Sequence, residues 1–187
     1  MTGKEWEHTV EAMLEAVGGW DCRFEPKVQN GHKMDGGTPD FGLYLGTAFH
    51  LVECKKETAA SMTLAKNKNS DGSGISPAQA AEMDRATSRG VRCWVAARLE
   101  LSDVQRRKLA QQPIFGGGGD VPVAIQRLVP WPLWRARMVA AEEARRAGGD
   151  VVASIPAVEL AALGWPLRSA GELRAALVAV DNSGGAE

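Results

Sequence analysis

Thr38-Pro39-Asp40-Phe41-Gly42-Leu43-Tyr44-Leu45-Gly46-Thr47-Ala48-Phe49-His50-Leu51-Val52-Glu53-Cys54-Lys55 is the stretch on which the fold turns. Residues 41–45 and 49–55 read as paired strands around a Gly46-Thr47 turn. Alternate side chains of a strand share a face, so Glu53 and Lys55 point together and Cys54 points away. A hairpin that sets Asp40 beside them gathers two carboxylates and an ammonium at one sheet edge. Carboxylates that close repel unless a cation lies between them, and a hard divalent ion such as Mg²⁺ takes oxygen ligands. The arrangement suits metal-assisted phosphodiester cleavage.

Working outward, 187 residues allow one ordinary core with a small appendage. The apolar fraction of 44% argues for a folded chain, and no apolar run approaches a membrane span. Met1 to Trp6 leads into a charged helix rather than a signal peptide. Cys22, Cys54 and Cys93 are widely spaced among apolar neighbours and read as reduced core thiols of a cytoplasmic protein. Cys22 and His32 lack the paired spacing of a zinc site. A net charge of −1 argues against a generic nucleic-acid binder, but the charges are segregated. Acidic residues crowd the first third, whereas Lys55, Lys56, Lys66, Lys68, Arg85, Arg89 and several later arginines follow. An acidic pocket within a basic surround makes that pattern, and so do solvated helix faces.

A helix is expected over 3–17, with Trp6, Val10, Met13, Leu14 and Val17 on one face and Gly18-Gly19 as the stop. A strand over 20–28, a polar loop over 29–38 and, after the hairpin, a mobile loop over 67–74 follow. Ser76-Pro77-Ala78-Gln79 announces a second helix with a Ser N-cap, Pro in the first turn and Gln three residues on. Residues 91–97 read as a buried strand, Ser102 caps a further helix, 121–128 form another strand, and a helix follows Trp131-Pro132. The order predicts an α/β fold, a mixed sheet flanked by helices over 1–148. Residues 149–180 read as a small helical extension that covers a face of the main domain, and 181–187 as a disordered tail.

Pro39-Asp40…Glu53-Cys54-Lys55 resembles the PD-(D/E)XK nuclease motif. Gly3-Lys4-Glu5-Trp6-Glu7 resembles the G-x-x-F-E helix of Holliday-junction resolvases of the RecU and Hjc type, and Ser76 to Gln79 resembles the Gln-bearing helix of RecU-like and phage resolvases. The likeness covers roughly 3–100, reaching 130 at most, and leaves out the C-terminal part. Cys54 departs from the usual small or aliphatic residue, which packing tolerates.

This resemblance implies a restriction-endonuclease-like core and a Mg²⁺-dependent endodeoxyribonuclease, with Mn²⁺ able to substitute. It implies a homodimer making paired nicks in a four-way junction, in a bacterial or phage-infected cytoplasm, with no membrane partner. Asp40, Glu53 and the Cys54 backbone carbonyl would hold the metal, with Glu7 reaching in directly or through water. Lys55 would orient or help deprotonate the attacking water, and Gln79 would bond the lysine, a water or the phosphate. Lys33, Lys56, Lys66, Lys68, Arg85 and Arg89 are the expected DNA contacts; His32 and Lys33 can touch the scissile phosphate, and the 62–75 loop would brace the junction. Other PD-(D/E)XK activities (nicking, restriction or repair) and a non-catalytic DNA-binding recombination module are the alternatives. Each residue also has a structural reading. Asp40 can cap the Pro39 turn, Glu53 and Lys55 can form a surface pair, and Gln79 can serve only its capping box. Glu11 rivals Glu7. Trp131 and Trp134, beside Arg135 and Arg137, read more readily as core than as base-stacking residues.

Overall fold

The computed structural model describes residues 1–18, 20–24, 28–29, 32–33, 37–65, 74–115, 120–148 and 153–183. Helix α1 (Gly3–Val17) opens with a reciprocal capping box between Thr2 and Glu5 and closes on Gly18, whose φ of 79° suits glycine. Strand β1 (Trp20–Arg23) is followed by the two-residue strands β2 (Val28–Gln29) and β3 (His32–Lys33), which pair with each other. Then come β4 (Phe41–Leu45), β5 (Ala48–Thr58) and β6 (Ser61–Thr63). Helix α2 (Pro77–Ser88) leads to β7 (Arg92–Glu100), α3 (Asp103–Leu109) and a 3₁₀ turn, Pro113–Phe115. Strand β8 (Ala124–Pro130), α4 (Trp131–Arg146), β9 (Ser154–Pro156), α5 (Ala157–Ala162), β10 (Trp165–Pro166) and α6 (Ala170–Ser183) complete the order.

Six strands form one mixed sheet in the order β1-β4-β5-β7-β8-β10. Only β5 and β7 run parallel, because α2 carries the chain back between them; the other neighbours are antiparallel. Period-2 alternation along β5 and β7 feeds two cores. Val52, Cys54, Trp94 and Ala96 face α1 and α6, where Trp6, Val10, Leu14, Leu173 and Leu177 close over them. Leu51, Val95, Ala97 and Leu99 face the opposite way, towards Met83 of α2 and Trp131, Trp134 and Met138 of α4. The helices therefore sandwich the sheet, as the pattern predicts, and both tryptophans of α4 are core residues.

Several boundaries differ from expectation. Strand β1 stops at Arg23, and the expected 29–38 loop contains β3 and, near its end, Gly37 at a φ of 66°. The expected mobile segment falls almost wholly on 66–73, outside the described residues. In the C-terminal part, β9 pairs with β6 and β10 extends the main sheet from β8. Leu167, Leu173, Ala176 and Leu177 are buried in the α1 core, so apolar burial ties this part to the sheet. Helix α6 runs to Ser183, past the expected start of the tail; 184–187 lie outside the described residues. Among the described residues no helix is long and apolar enough to cross a membrane.

Candidate active site

The site begins where β4 runs out. Phe41 opposite Val52 is the last β4–β5 pair, while β5 continues for another six residues to Thr58. Beyond that point the Cys54 N–H donates instead to Asp40 Oδ2 at 2.7 Å. Asp40 is thus fixed on the open flank of β5 beside the Glu53–Cys54 peptide. Gly37 fixes the approach from the other side. Its φ is 66°, and a Cβ there would lie 2.7 Å from the Ala78 carbonyl oxygen, so the loop before Asp40 packs directly on the start of α2.

Glu53 and Lys55 share the α2 face, as alternation requires. The Glu53 carboxylate is 1% exposed, and its Oε1 accepts from Lys55 Nζ at 2.5 Å and from Gln79 Nε2 at 2.6 Å. Gln79 closes its expected capping box, but its side-chain nitrogen bonds Glu53 rather than the expected lysine, water or phosphate. In the box its Oε1 accepts from Ser76 N at 3.0 Å. Among the described residues, Glu53 Oε2 is buried with no hydrogen-bond partner. Burial pushes the Glu53 carboxyl up to about 7; the Asp40 charge adds to the rise, while Lys55 and Gln79 work against it. Asp40 is also raised by burial, opposed by the Cys54 N–H and Lys55 and reinforced by Glu7.

Cys54 points into the α1 core, and burial followed by the charges of Asp40, Glu53 and Glu7 holds its thiol well above the usual range. What it offers the site is its backbone. A strand residue directs its N–H and C=O at the same neighbour, so the carbonyl faces the flank that Asp40 occupies.

Glu7 lies close enough to Asp40 to raise its pKa, but its own carboxylate accepts from Arg23 Nη2 at 2.7 Å. Arg23 also donates to Glu11 at 3.2 Å and stands 5.7 Å over the Phe41 ring. Arg23 is the residue that sequence reasoning missed, and both carboxylates considered for the Glu7 role meet it. Its one sequence trace is Glu7 and Glu11 stacked one helical turn apart, a stripe that calls for a cation. Among the described residues, no three His, Cys, Asp or Glu side chains converge as a metal cluster.

The expected DNA contacts disperse. Lys56 sits on the opposite face from Lys55, pairing with Glu100 at 2.9 Å and Thr58 at 2.8 Å. Arg85 and Arg89 are exposed along α2, about 9 and 15 Å in helical rise beyond Gln79, and Arg85 pairs with Glu82. Lys33 is in β3, and its side chain, with Lys66 and Lys68, falls outside what is described. Arg135 and Trp131 both grip Asp84 of α2, at 3.1 and 2.7 Å.

No protein-family model and no curated protein matches the chain. Among solved structures, it is similar to Hjc, a Holliday junction resolvase from the archaeal hyperthermophile Archaeoglobus fulgidus. That likeness has 15% sequence identity and a TM-score of 0.43, over 70% of this chain and 78% of that one.

Proposed function

We propose that the chain is a divalent-metal-dependent endonuclease that cuts branched DNA, with the four-way junction as its substrate and Asp40, Glu53 and Lys55 at its centre. One observation carries the reading: a buried carboxylate with one oxygen doubly bonded and the other orphaned, beside a second carboxylate. An orphaned buried oxygen is costly, and so is an ionised buried acid. A small hard cation held by Asp40 and Glu53 would relieve both costs, and the donor set is all oxygen, as Mg²⁺ or Mn²⁺ requires. Asp40, Glu53 and the Cys54 carbonyl would hold it, with Glu7 available through water once Arg23 releases it. Bound there, the cation would supply Lewis-acid stabilisation of the attacked phosphate and a more acidic water.

The remaining work falls to the chain's own groups. Lys55 has three N–H donors and commits one to Glu53, leaving two for the incoming water and a phosphate oxygen. Gln79 fixes the Glu53 rotamer, so the orphaned oxygen is aimed before substrate arrives. The water oxygen would bond to phosphorus as the phosphorus–oxygen bond to the leaving strand breaks, the water's proton passing to solvent and the leaving oxygen taking one from solvent.

A two-fold homodimer would match a junction that presents two equivalent strands. The deciding assay uses purified protein, a labelled four-way junction and a linear duplex, with Mg²⁺ or EDTA. Paired symmetric nicks on the junction alone support the proposal, whereas binding without cleavage in Mg²⁺ or Mn²⁺ refutes it. Asp40→Asn and Lys55→Ala should each abolish cutting and leave junction binding within a few-fold of wild type.

A further inference from the structure

A second concave site lies across the sheet from the carboxylates. Arg127 of β8 is opposite Ala97 of β7, which is opposite Lys55 of β5. Directly paired residues share a face, so Arg127 stands on the same face as Lys55, two strand spacings or about 10 Å away. On the other side of Arg127, Pro166 of β10 is its partner, and Arg168 follows two residues later. Arg127 and Arg168 line one pocket of about 210 Å³ with Phe115, Ile125, Ala161 and Pro166.

The electrostatics of this pocket are unbalanced. Arg168 is engaged by Glu172, which accepts from its Nε at 3.0 Å. Among the described residues, Arg127 is half-buried and its guanidinium has no hydrogen-bond or ion-pair partner. Burial and the neighbouring Arg168 charge both lower its pKa, with only Glu172 opposing them. Along β8, Arg127 sits between Ile125 and Val129, which point into the apolar core on that face.

We propose that Arg127 and Arg168 form a phosphate-binding site distinct from the Asp40–Glu53–Lys55 centre, with the Arg127 fork as its principal donor. A phosphoryl group fits the volume, satisfies the free guanidinium and offsets the excess charge. Its natural source is a DNA backbone phosphate away from the cut, which deepens the nuclease reading and in that respect rests on it. A free phosphate or phosphomonoester is the other source of the same chemistry.

The test uses the full chain in EDTA, so that binding is read without cleavage. Inorganic phosphate, against chloride at matched ionic strength, should raise the melting temperature of wild type but not of Arg127→Gln. Arg168→Gln should show a reduced rise, and Arg127→Lys, which keeps the charge without the fork, an intermediate one. With a labelled four-way junction, Arg127→Gln should bind roughly 5- to 10-fold more weakly, and the slope of log affinity against log salt should fall by about one. Both effects together identify a DNA phosphate. Loss of the phosphate effect with unchanged junction affinity keeps the site and assigns it to a free phosphate group. A wild type that phosphate does not stabilise overturns the proposal, whatever the junction does, and so does an Arg127→Gln variant that responds like wild type. Failure of junction cleavage in Mg²⁺ would refute the nuclease reading alone, because the phosphate-induced shift is read without it.

Discussion

Glu53 makes the metal-free protein carry a pH-dependent penalty that Glu53→Gln removes. In the unfolded chain the carboxyl titrates near 4.5, and in the fold burial raises it to about 7. Between those values the folded protein holds a proton that the unfolded chain has lost, so stability falls as pH rises through the window. The shift corresponds to about 3 kcal/mol, fully lost above pH 7. His50 partly masks this in wild type. Burial, and then Arg92, lower its pKa to about 4, so its contribution grows over much of the same range. The difference between wild type and Glu53→Gln cancels His50 and isolates Glu53. In urea titrations from pH 4.5 to 8 in EDTA, the variant should gain about 3 kcal/mol on wild type, whatever constant offset separates them at pH 4.5. Saturating Mg²⁺ or Mn²⁺ should then stabilise wild type at pH 8, less at pH 5.5 where a proton competes for the same oxygen, and leave the variant unchanged. A pH-independent difference would show that Glu53 is not a strained acid. Equal metal stabilisation of both proteins would remove it from the metal site.

Other substitutions separate the remaining residues. Glu7→Gln should lower Mg²⁺-dependent cleavage at least tenfold while Glu11→Gln stays within about threefold, measured as single-turnover rates on the junction. Gln79→Ala removes one donor from Glu53 and half of the α2 capping box; it should cost about 1–3 kcal/mol in urea melts and shift the cleavage pH profile to higher pH. Gly37→Ala forces a Cβ onto the Ala78 carbonyl at a positive φ and should lose about 1–3 kcal/mol by the same measurement. His50→Leu should abolish the part of the stability loss that wild type shows as pH falls from 6.5 towards 4, even though it leaves the Trp94 N–H, which donates to His50 Nδ1 at 3.1 Å, without an acceptor.

What could be read from the sequence was local in it. The β4–β5 hairpin follows from alternation and one turn, and it alone dictates that Glu53 and Lys55 share a face with Cys54 behind. Gln79 was legible because a capping box is a four-residue signal, and its free nitrogen then points away from the helix towards the sheet. Arg23 was not legible, because its meeting with Glu7 depends on β1 pairing with β4 in the register that sets Arg23 opposite Phe41, fixed by contacts far apart in the chain. The dispersal of the lysines and arginines has the same origin. Lys55 and Lys56 are adjacent in sequence, but the pleat sends one to Glu53 and the other to Glu100 on the far face. Arg127, 72 residues from Lys55 in the chain, lies in the same cross-strand row. A count of positive charges along a chain therefore says little about a basic surface. Strand parity and pairing register decide which charges share a face, and in this fold they divide the basic residues between two faces.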